Sequence, residues 1–317
     1  DQDKFLFSSE MKSLLAYGIV KDIDYNSLLA YLQLNYIPAP HTIFPGVKKL
    51  MPGHWLKIKN QSIETGRYYS IPHPSVEDSP PSLSYPEAQV RFKSLLETSV
   101  QRRLVADVPL GCFLSGGTDS SVIAAIASRH QSGLHTFSIG YQDEPYFDET
   151  TYARLVAKKI NTEHTVFSLT NRDLYEHVHD VLDYADEPFA DSSAIAVYIL
   201  SKQTRKHATV ALSGDGADEL LGGYNKHAAF YRSFHPGWKE HLATTLSPAW
   251  RILPQSRHAP LANTIRQLNR YAAGARLPLA QRYWQWASFA SEAQALRLLN
   301  PDRQSLAHEF AGRKQEC

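Results

Sequence analysis

Residues 110–127 read Leu110-Gly111-Cys112-Phe113-Leu114-Ser115-Gly116-Gly117-Thr118-Asp119-Ser120-Ser121-Val122-Ile123-Ala124-Ala125-Ile126-Ala127. The apolar run Leu110–Leu114 predicts a short buried strand. Ser115-Gly116-Gly117 breaks it, and Asp119-Ser120-Ser121 leading into Val122, Ile123, Ala125 and Ile126 predicts the start of a helix. A strand, a glycine-rich turn and a helix N-terminus make the geometry that holds phosphate. Glycine lets the backbone come close, N–H groups point at the anion, and the helix dipole favours negative charge. The alternative is an ordinary strand–turn–helix corner in which Ser and Asp only cap the helix. No lysine follows Gly117, which excludes a Walker loop. Phe113 stands where a nucleophile elbow needs glycine.

Outward from this stretch, strands and helices alternate. A helix over 86–103 precedes the strand. Strand 110–114 leads to helix 119–130, strand 134–140 to helix 148–160, strand 163–167 to helix 172–184, and helix 192–206 to strand 208–213. This alternation predicts an α/β fold with a parallel, doubly wound sheet, whose ligands bind beyond the carboxyl ends of the strands. From about 216 onward only helix-like periodicity is read. A second motif, Leu212-Ser213-Gly214-Asp215-Gly216-Ala217-Asp218-Glu219, follows the short apolar run Val210-Ala211-Leu212. Alone it also reads as a polar turn with acids at a helix start. Two such turns, each after a strand of one sheet, are expected to face one crevice.

The chain has 317 residues, of which 43% are apolar and 21% charged, so it belongs with ordinary globular proteins. A formal net charge of +1 gives no drive toward nucleic acid or an anionic membrane surface. No apolar run approaches the ~20 residues of a membrane span. The two cysteines, Cys112 in a predicted buried strand and Cys317 at the end, predict no structural disulfide and a cytoplasmic location. Cys112 is expected to be a small core hydrophobe. Residues 70–86 are rich in Pro and Ser and read as a linker. Before it, strands at 4–7 and 54–58 and helices ending at Gly18 and near Asn35 are predicted, with Asp24 capping the second helix. The first residue is not Met, and both ends read as those of a fragment. His177 and His179, with Asp180 and Asp183, read as solvated or locally satisfied rather than metal-binding. Tyr283-Trp284-Gln285-Trp286 reads as core packing.

The order Ser-Gly-Gly-x-Asp-Ser-Ser at 115–121 resembles the pyrophosphate loop (PP-loop) of the N-type ATP pyrophosphatases. Together with Ser213-Gly214-Asp215-Gly216-Ala217-Asp218-Glu219 and Gly222-Gly223-Tyr224, it resembles the synthetase domain of glutamine-dependent asparagine synthetases. Thr136-Phe137-Ser138-Ile139-Gly140, Tyr146-Phe147-Asp148-Glu149 and the segment Asp186–Ser193 are also similar to family segments. The stretches Phe7–Leu15, Tyr36–Leu50 and Pro52–Leu56 resemble the end of the family's N-terminal-nucleophile glutaminase domain. The resemblance implies residues 1–72 as the end of an α+β glutaminase domain, 73–85 as linker, and 86–317 as the synthetase domain with a helical C-terminal part, truncated at its end.

It also implies an ATP-dependent ligase. Aspartate attacks the α-phosphate, β-aspartyl-AMP forms with release of pyrophosphate, and ammonia from glutamine gives asparagine. ATP and Mg²⁺ are the implied cofactors. Leu114, Ser115, Gly116, Gly117, Asp119, Ser120, Ser138, Ile139, Gly140 and Gly214 are implied in nucleotide binding, Asp119 and Asp218 in metal binding, and Asp119, Asp215 and Asp218 in catalysis. Partners are small molecules, with a homodimer possible and no nucleic acid or membrane. Related enzymes acting on another carboxylate, such as β-lactam synthetases, and a non-catalytic nucleotide-binding relative are the alternatives. Five features depart from the family. Residue 1 is Asp1 rather than the nucleophilic cysteine, Thr118 stands where leucine is frequent, Asp215 replaces glutamate, the segment before helix 192–206 lacks an arginine found in some asparagine-making members, and a later lysine motif is not found.

Overall fold

The structure is a computed structural model that describes residues 4–60, 62–72, 83–256, 259–299 and 306–316. The chain forms two compact units, one of Asp1–His73, Asp183–Asp191 and Ala229–Cys317, the other of Pro74–Leu182 and Ser192–Ala228. The first begins with α1 (Met11–Tyr17) and α2 (Tyr25–Leu34), followed by the hairpin β1 (His54–Lys59) and β2 (Ser62–Arg67). The strand expected at 4–7 does not form: among the described residues Phe5–Phe7 pairs with no other strand, and Phe7 is exposed. An apolar triplet without a ladder partner has no reason to stay in register. Helix α1 ends at Gly18, whose φ of +95° suits glycine. The N–H groups of Met11 and Lys12 donate to the Asp186 carboxylate at 2.8 and 3.3 Å, so this helix is capped from far along the chain. Asp24 caps α2 as expected, accepting from the N–H groups of Asn26 and Ser27.

The second unit carries α3 (Tyr85–Arg103), β3 (Leu110–Phe113), α4 (Thr118–His130), β4 (His135–Tyr141), α5 (Thr150–Ile160), β5 (Glu163–Leu169), α6 (Asn171–Glu176), α7 (Val178–Tyr184), α8 (Ser193–Thr204), β6 (Val210–Leu212) and α9 (Ala217–Leu221). Most of the Pro/Ser-rich linker, 73–82, lies outside the described residues. The four strands form one parallel sheet in the order β5-β4-β3-β6. Side chains alternate between its faces. Cys112 and Leu114 pack with Ala124 and Ala127 of α4 and Ala153 and Ala157 of α5. On the opposite face Phe137 and Phe167 stack 6.2 Å apart, and His207, just after α8, lies 5.8 Å from Phe137. With helices on both faces the sheet is doubly wound. Burial pushes the Cys112 thiol up to about 12, so it serves as a core hydrophobe.

Two helix expectations are corrected. The helix predicted from 148 begins at Thr150, because Asp148 turns back to accept from the Thr150 N–H at 2.8 Å, behind a 3₁₀ turn at Pro145–Phe147. The single helix predicted over 172–184 is two, broken at His177, whose Nδ1 pairs with Asp180 at 2.8 Å.

The rest of the first unit is helical: α10 (Asn225–Phe234), α11 (Trp238–Thr245), α12 (Ser247–Ile252), α13 (Pro260–Ala275), α14 (Leu279–Ala287), α15 (Glu292–Arg297) and α16 (Ala307–Glu316). Leu29 and Ala30 of α2 form a core with Ala295, Leu299 and Phe310. Trp286 stacks on Tyr271 at 5.7 Å, and the Trp284 Nε1–H donates to Gln33 at 2.9 Å, so this aromatic run is core. No described helix is long and apolar enough to cross a membrane.

Arg313 of α16 reaches the Asp24 carboxylate at 2.7 Å. Burial pushes the Asp24 carboxyl up, but the bonds from Arg313 and from the Ser27 N–H outweigh it and hold the group below its ordinary 3.8. A carboxyl depressed by folding stabilises above its unfolded pKa of about 3.9, and that stability is lost as pH falls through the lower folded value. Asp24→Asn is expected to cost about 2–4 kcal/mol at neutral pH, from the weakened cap and the unpaired Arg313. Urea titrations at pH 7 and at pH 2–3 check this, with the difference between wild type and variant shrinking at the acid end.

Candidate active site

The site grows out of the strand order. After β3 the chain moves to β4 and β5 on one side, then returns to place β6 on the other. The order therefore reverses at β3, and the loops leaving β3 and β6 flank the crevice where doubly wound sheets bind ligands. Those loops are 114–117 and 213–216.

In the first loop, Leu114 is buried and its N–H donates to the Phe137 carbonyl at 2.9 Å. Gly116 has φ +89°, and a Cβ there would lie 2.6 Å from the Ala153 nitrogen on α5. Backbone conformation and space thus both require glycine. Gly117 is the N-cap of α4, with Asp119 in the first turn. The two serines close the loop on itself. Ser120 Oγ accepts from the Ser115 N–H at 3.2 Å and lies 3.0 Å from Ser115 Oγ, which accepts from the Gly117 N–H at 3.2 Å. The first amides of α4 have no intrahelical partner and form the anion-facing end of the helix.

The second loop folds by the same economy. Ser213 Oγ donates to Asp215 at 2.9 Å, and Gly216 takes φ +90° before α9. Asp218 and Glu219 fill the first turn of α9. A Cβ on Gly223 would fall 1.8 Å from Asp218 Oδ1, so glycine leaves room for that carboxylate. The two loops meet at Gly214, where a Cβ would lie 2.7 Å from the Ser120 nitrogen and 3.1 Å from the Asp119 Cβ.

The structure thus brings Ser115, Gly116, Gly117, Asp119, Ser120 and Gly214 together. Ser138, Ile139 and Gly140 lie toward the carboxyl end of the neighbouring β4. The buried Ser138 hydroxyl donates to the Leu114 carbonyl. Asp215 and Asp218 sit on the second loop and its helix. Tyr224, at the end of the Gly222-Gly223-Tyr224 motif, makes a contact the sequence did not reveal: its hydroxyl donates to Glu219 at 2.7 Å. That bond, then desolvation and the charges of Glu219, Asp218 and Asp215, push Tyr224 up to about 12. The tyrosine registers a negative field built by three carboxylates. No pattern in the sequence signals this pairing, because a five-residue separation matches neither helical nor strand neighbours.

A family profile described as Asparagine synthase matches residues 91–313. The chain belongs to the asparagine synthase family. A profile described as a Glutamine amidotransferase domain matches residues 1–69. The chain is 36% identical over 237 residues to a protein of Methanocaldococcus jannaschii provisionally named glutamine-hydrolysing asparagine synthetase 2, an alignment that covers 73% of this chain and 45% of that one. It is 31% identical to glutamine-hydrolysing asparagine synthetase 3 of Bacillus subtilis, with 78% of this chain and 42% of the relative covered. With asparagine synthetase 1 of the same organism the identity is 33%, over 70% and 34%. The chain therefore spans less than half the length of these curated relatives. Family membership accounts for the two loops, which both fall within the Asparagine synthase match.

Proposed function

We propose that this chain carries the ATP-activating part of a glutamine-dependent asparagine synthetase. The observation that supports this best is the meeting of the two Ser/Gly/Asp loops at Gly214, beside Asp119 and Ser120, at the point where the strand order reverses. The aspartate side-chain carboxylate attacks the α-phosphorus of ATP, the bond to the β-phosphate breaks, and pyrophosphate leaves. The β-aspartyl-AMP so formed is attacked by ammonia at its acyl carbon, AMP leaves, and asparagine results.

In this reading the amides of residues 116–120 and the N-terminal end of α4 receive the charge that grows on pyrophosphate. Asp119 and Asp218 hold Mg²⁺, which supplies charge neutralisation at the phosphate oxygens. The donor set fits that ion. Both residues offer hard carboxylate oxygens, the ligand type Mg²⁺ takes. Mg²⁺ characteristically takes one or two carboxylates and leaves the remaining positions to water and phosphate. Asp215, at the tip of the second loop, faces the acceptor or the activated intermediate. Ser138, Ile139 and Gly140 offer backbone groups to adenine. The boundary between the glutaminase and synthetase parts falls in residues 73–85, and the protein works in the cytoplasm, as a homodimer.

The test is pyrophosphate release by the full-length gene product with ATP, Mg²⁺, ammonium and a panel of carboxylic amino acids. Turnover with aspartate and formation of asparagine is the expected result. Turnover only with another carboxylate would keep the chemistry and replace the substrate. ATP binding without turnover on any acceptor would overturn the proposal.

A further inference from the structure

On the sheet face covered by α5, toward the edge strand β5, lies an open cavity of about 440 Å³. Its walls are Arg154, Ala157 and Lys158 of α5 and Thr162, His164 and Val166 along β5. The volume falls within the ~300–1,000 Å³ of small-molecule sites. None of the residues proposed above for ATP lines it.

The composition of these walls is one-sided. Arg154 and Lys158 are separated by one helical turn, a like-charge spacing that weakens a helix unless something else requires it. No carboxylate lines the cavity, and among the described residues neither cation makes an ion pair within 4 Å. Arg154 donates one N–H to Thr150 Oγ1 at 3.1 Å. The carboxylate of Asp148 feels the Arg154 charge but is engaged on the Thr150 N–H. Thr162 and His164 make the wall polar as well, and buried hydroxyls lie behind the imidazole. His164 Nδ1 lies 2.9 Å from Thr136 Oγ1, which lies 3.0 Å from Thr162 Oγ1, while His164 Nε2 lies 3.3 Å from Ser138 Oγ. Burial first, and then the Arg154 charge, hold His164 below its ordinary value, so the imidazole is kept neutral beside a guanidinium. Two cations, the Thr162 hydroxyl and a histidine form a surface complementary to a dianion.

We propose that Arg154, Lys158 and His164 form a second ligand site, which binds the phosphate group of a small phosphorylated molecule. The guanidinium and ammonium grip the phosphate oxygens, and His164 gains a proton as the anion arrives. The Ser138 hydroxyl that meets His164 also donates to the Leu114 carbonyl at the root of the first loop. The site is therefore one hydrogen-bond chain away from the glycine-rich turn.

The test is titration of the protein with inorganic phosphate and, in a second arm, with glycerol phosphate, followed by calorimetry and by the ¹⁵N signals of the His164 ring. ATP is absent, so the readout does not depend on turnover. Wild type is expected to bind both probes, the ester more tightly if the rest of the cavity contributes, and His164 is expected to take up a proton near neutral pH. Arg154→Gln and Lys158→Gln, both exposed positions that leave the core intact, are each expected to weaken binding about tenfold or more. Ser120→Ala, in the glycine-rich loop, is expected to leave this binding unchanged, which separates the site from the ATP loop. Equal affinities for wild type and both α5 variants, or loss confined to Ser120→Ala, would overturn the proposal. Binding of inorganic phosphate with no gain from the ester would assign the site to the free ion and overturn the phosphorylated-metabolite reading.

Discussion

Asp119→Asn and Asp218→Asn are each expected to slow pyrophosphate release by about 10²–10³-fold at saturating ATP and aspartate, the range found when one preorganised charge-stabilising group is removed. The two carboxylates enter from different loops, and the proposed metal site needs both; the loops meet at Gly214, against Asp119 and Ser120. The double variant is accordingly expected to lose little more than either single one, since groups that act as a unit are strongly non-additive. Mg²⁺ titration distinguishes this from damage elsewhere: the apparent Mg²⁺ requirement should rise in both single variants, while circular dichroism and thermal unfolding stay as in wild type. Glu219→Gln gives the contrast. Its carboxylate is engaged by the Tyr224 hydroxyl, and a smaller effect on Mg²⁺ dependence is expected there. Near-normal turnover in Asp119→Asn or Asp218→Asn would remove that residue from the metal assignment.

Gly116→Ala is expected to be the most damaging single methyl in the second unit. At φ +89° an L side chain is strained, and the new Cβ would lie 2.6 Å from the Ala153 nitrogen and 2.8 Å from the Tyr152 carbonyl carbon. Backbone atoms of a helix cannot step aside as a side-chain tip can. Left-handed strain of about 1–2 kcal/mol adds to an overpacking cost of about 1–3 kcal/mol. The melting temperature should fall by ~2–4 °C for each kcal/mol lost in a domain of this size. Gly117→Ala, one residue on, is expected to be mild, because its Cβ would meet only the Ser115 Oγ at 3.3 Å. Thermal melts of the two variants side by side check the asymmetry, and equal losses would contradict it.

That asymmetry marks the limit of what the sequence discloses. The strands of the sheet and their order of alternation with helices were legible, because apolar runs such as Leu110–Leu114 and Val210–Leu212 are short, bounded by glycine and serine, and followed by helical periodicity. The two motifs were legible as loops for the same reason. The identical glycines at 116 and 117 looked interchangeable, since nothing local tells which of them has α5 pressed against it. The Tyr224–Glu219 bond was hidden in the same way. Phe5–Phe7 misled because β propensity says nothing about a partner strand. The cap on α1 comes from Asp186, and the partners of α2 come from α15 and α16. Long-range contacts of this kind leave no periodic trace in the chain.

The paired serines of the first loop determine how a ligand is welcomed there. Ser115 and Ser120 already satisfy each other and the Ser115 and Gly117 amides before any phosphate arrives. An incoming oxygen at those groups must displace a bond of nearly equal worth, so the exchange returns little enthalpy from the hydroxyls. What the loop gains in return is shape, since it is held in place ahead of time and loses little freedom on binding. Discrimination must then come from charge. On the proposed assignment, metal-free phosphate is expected to gain little from this loop, and a nucleotide carrying its own cation is expected to gain from Asp119 and Asp218 as well.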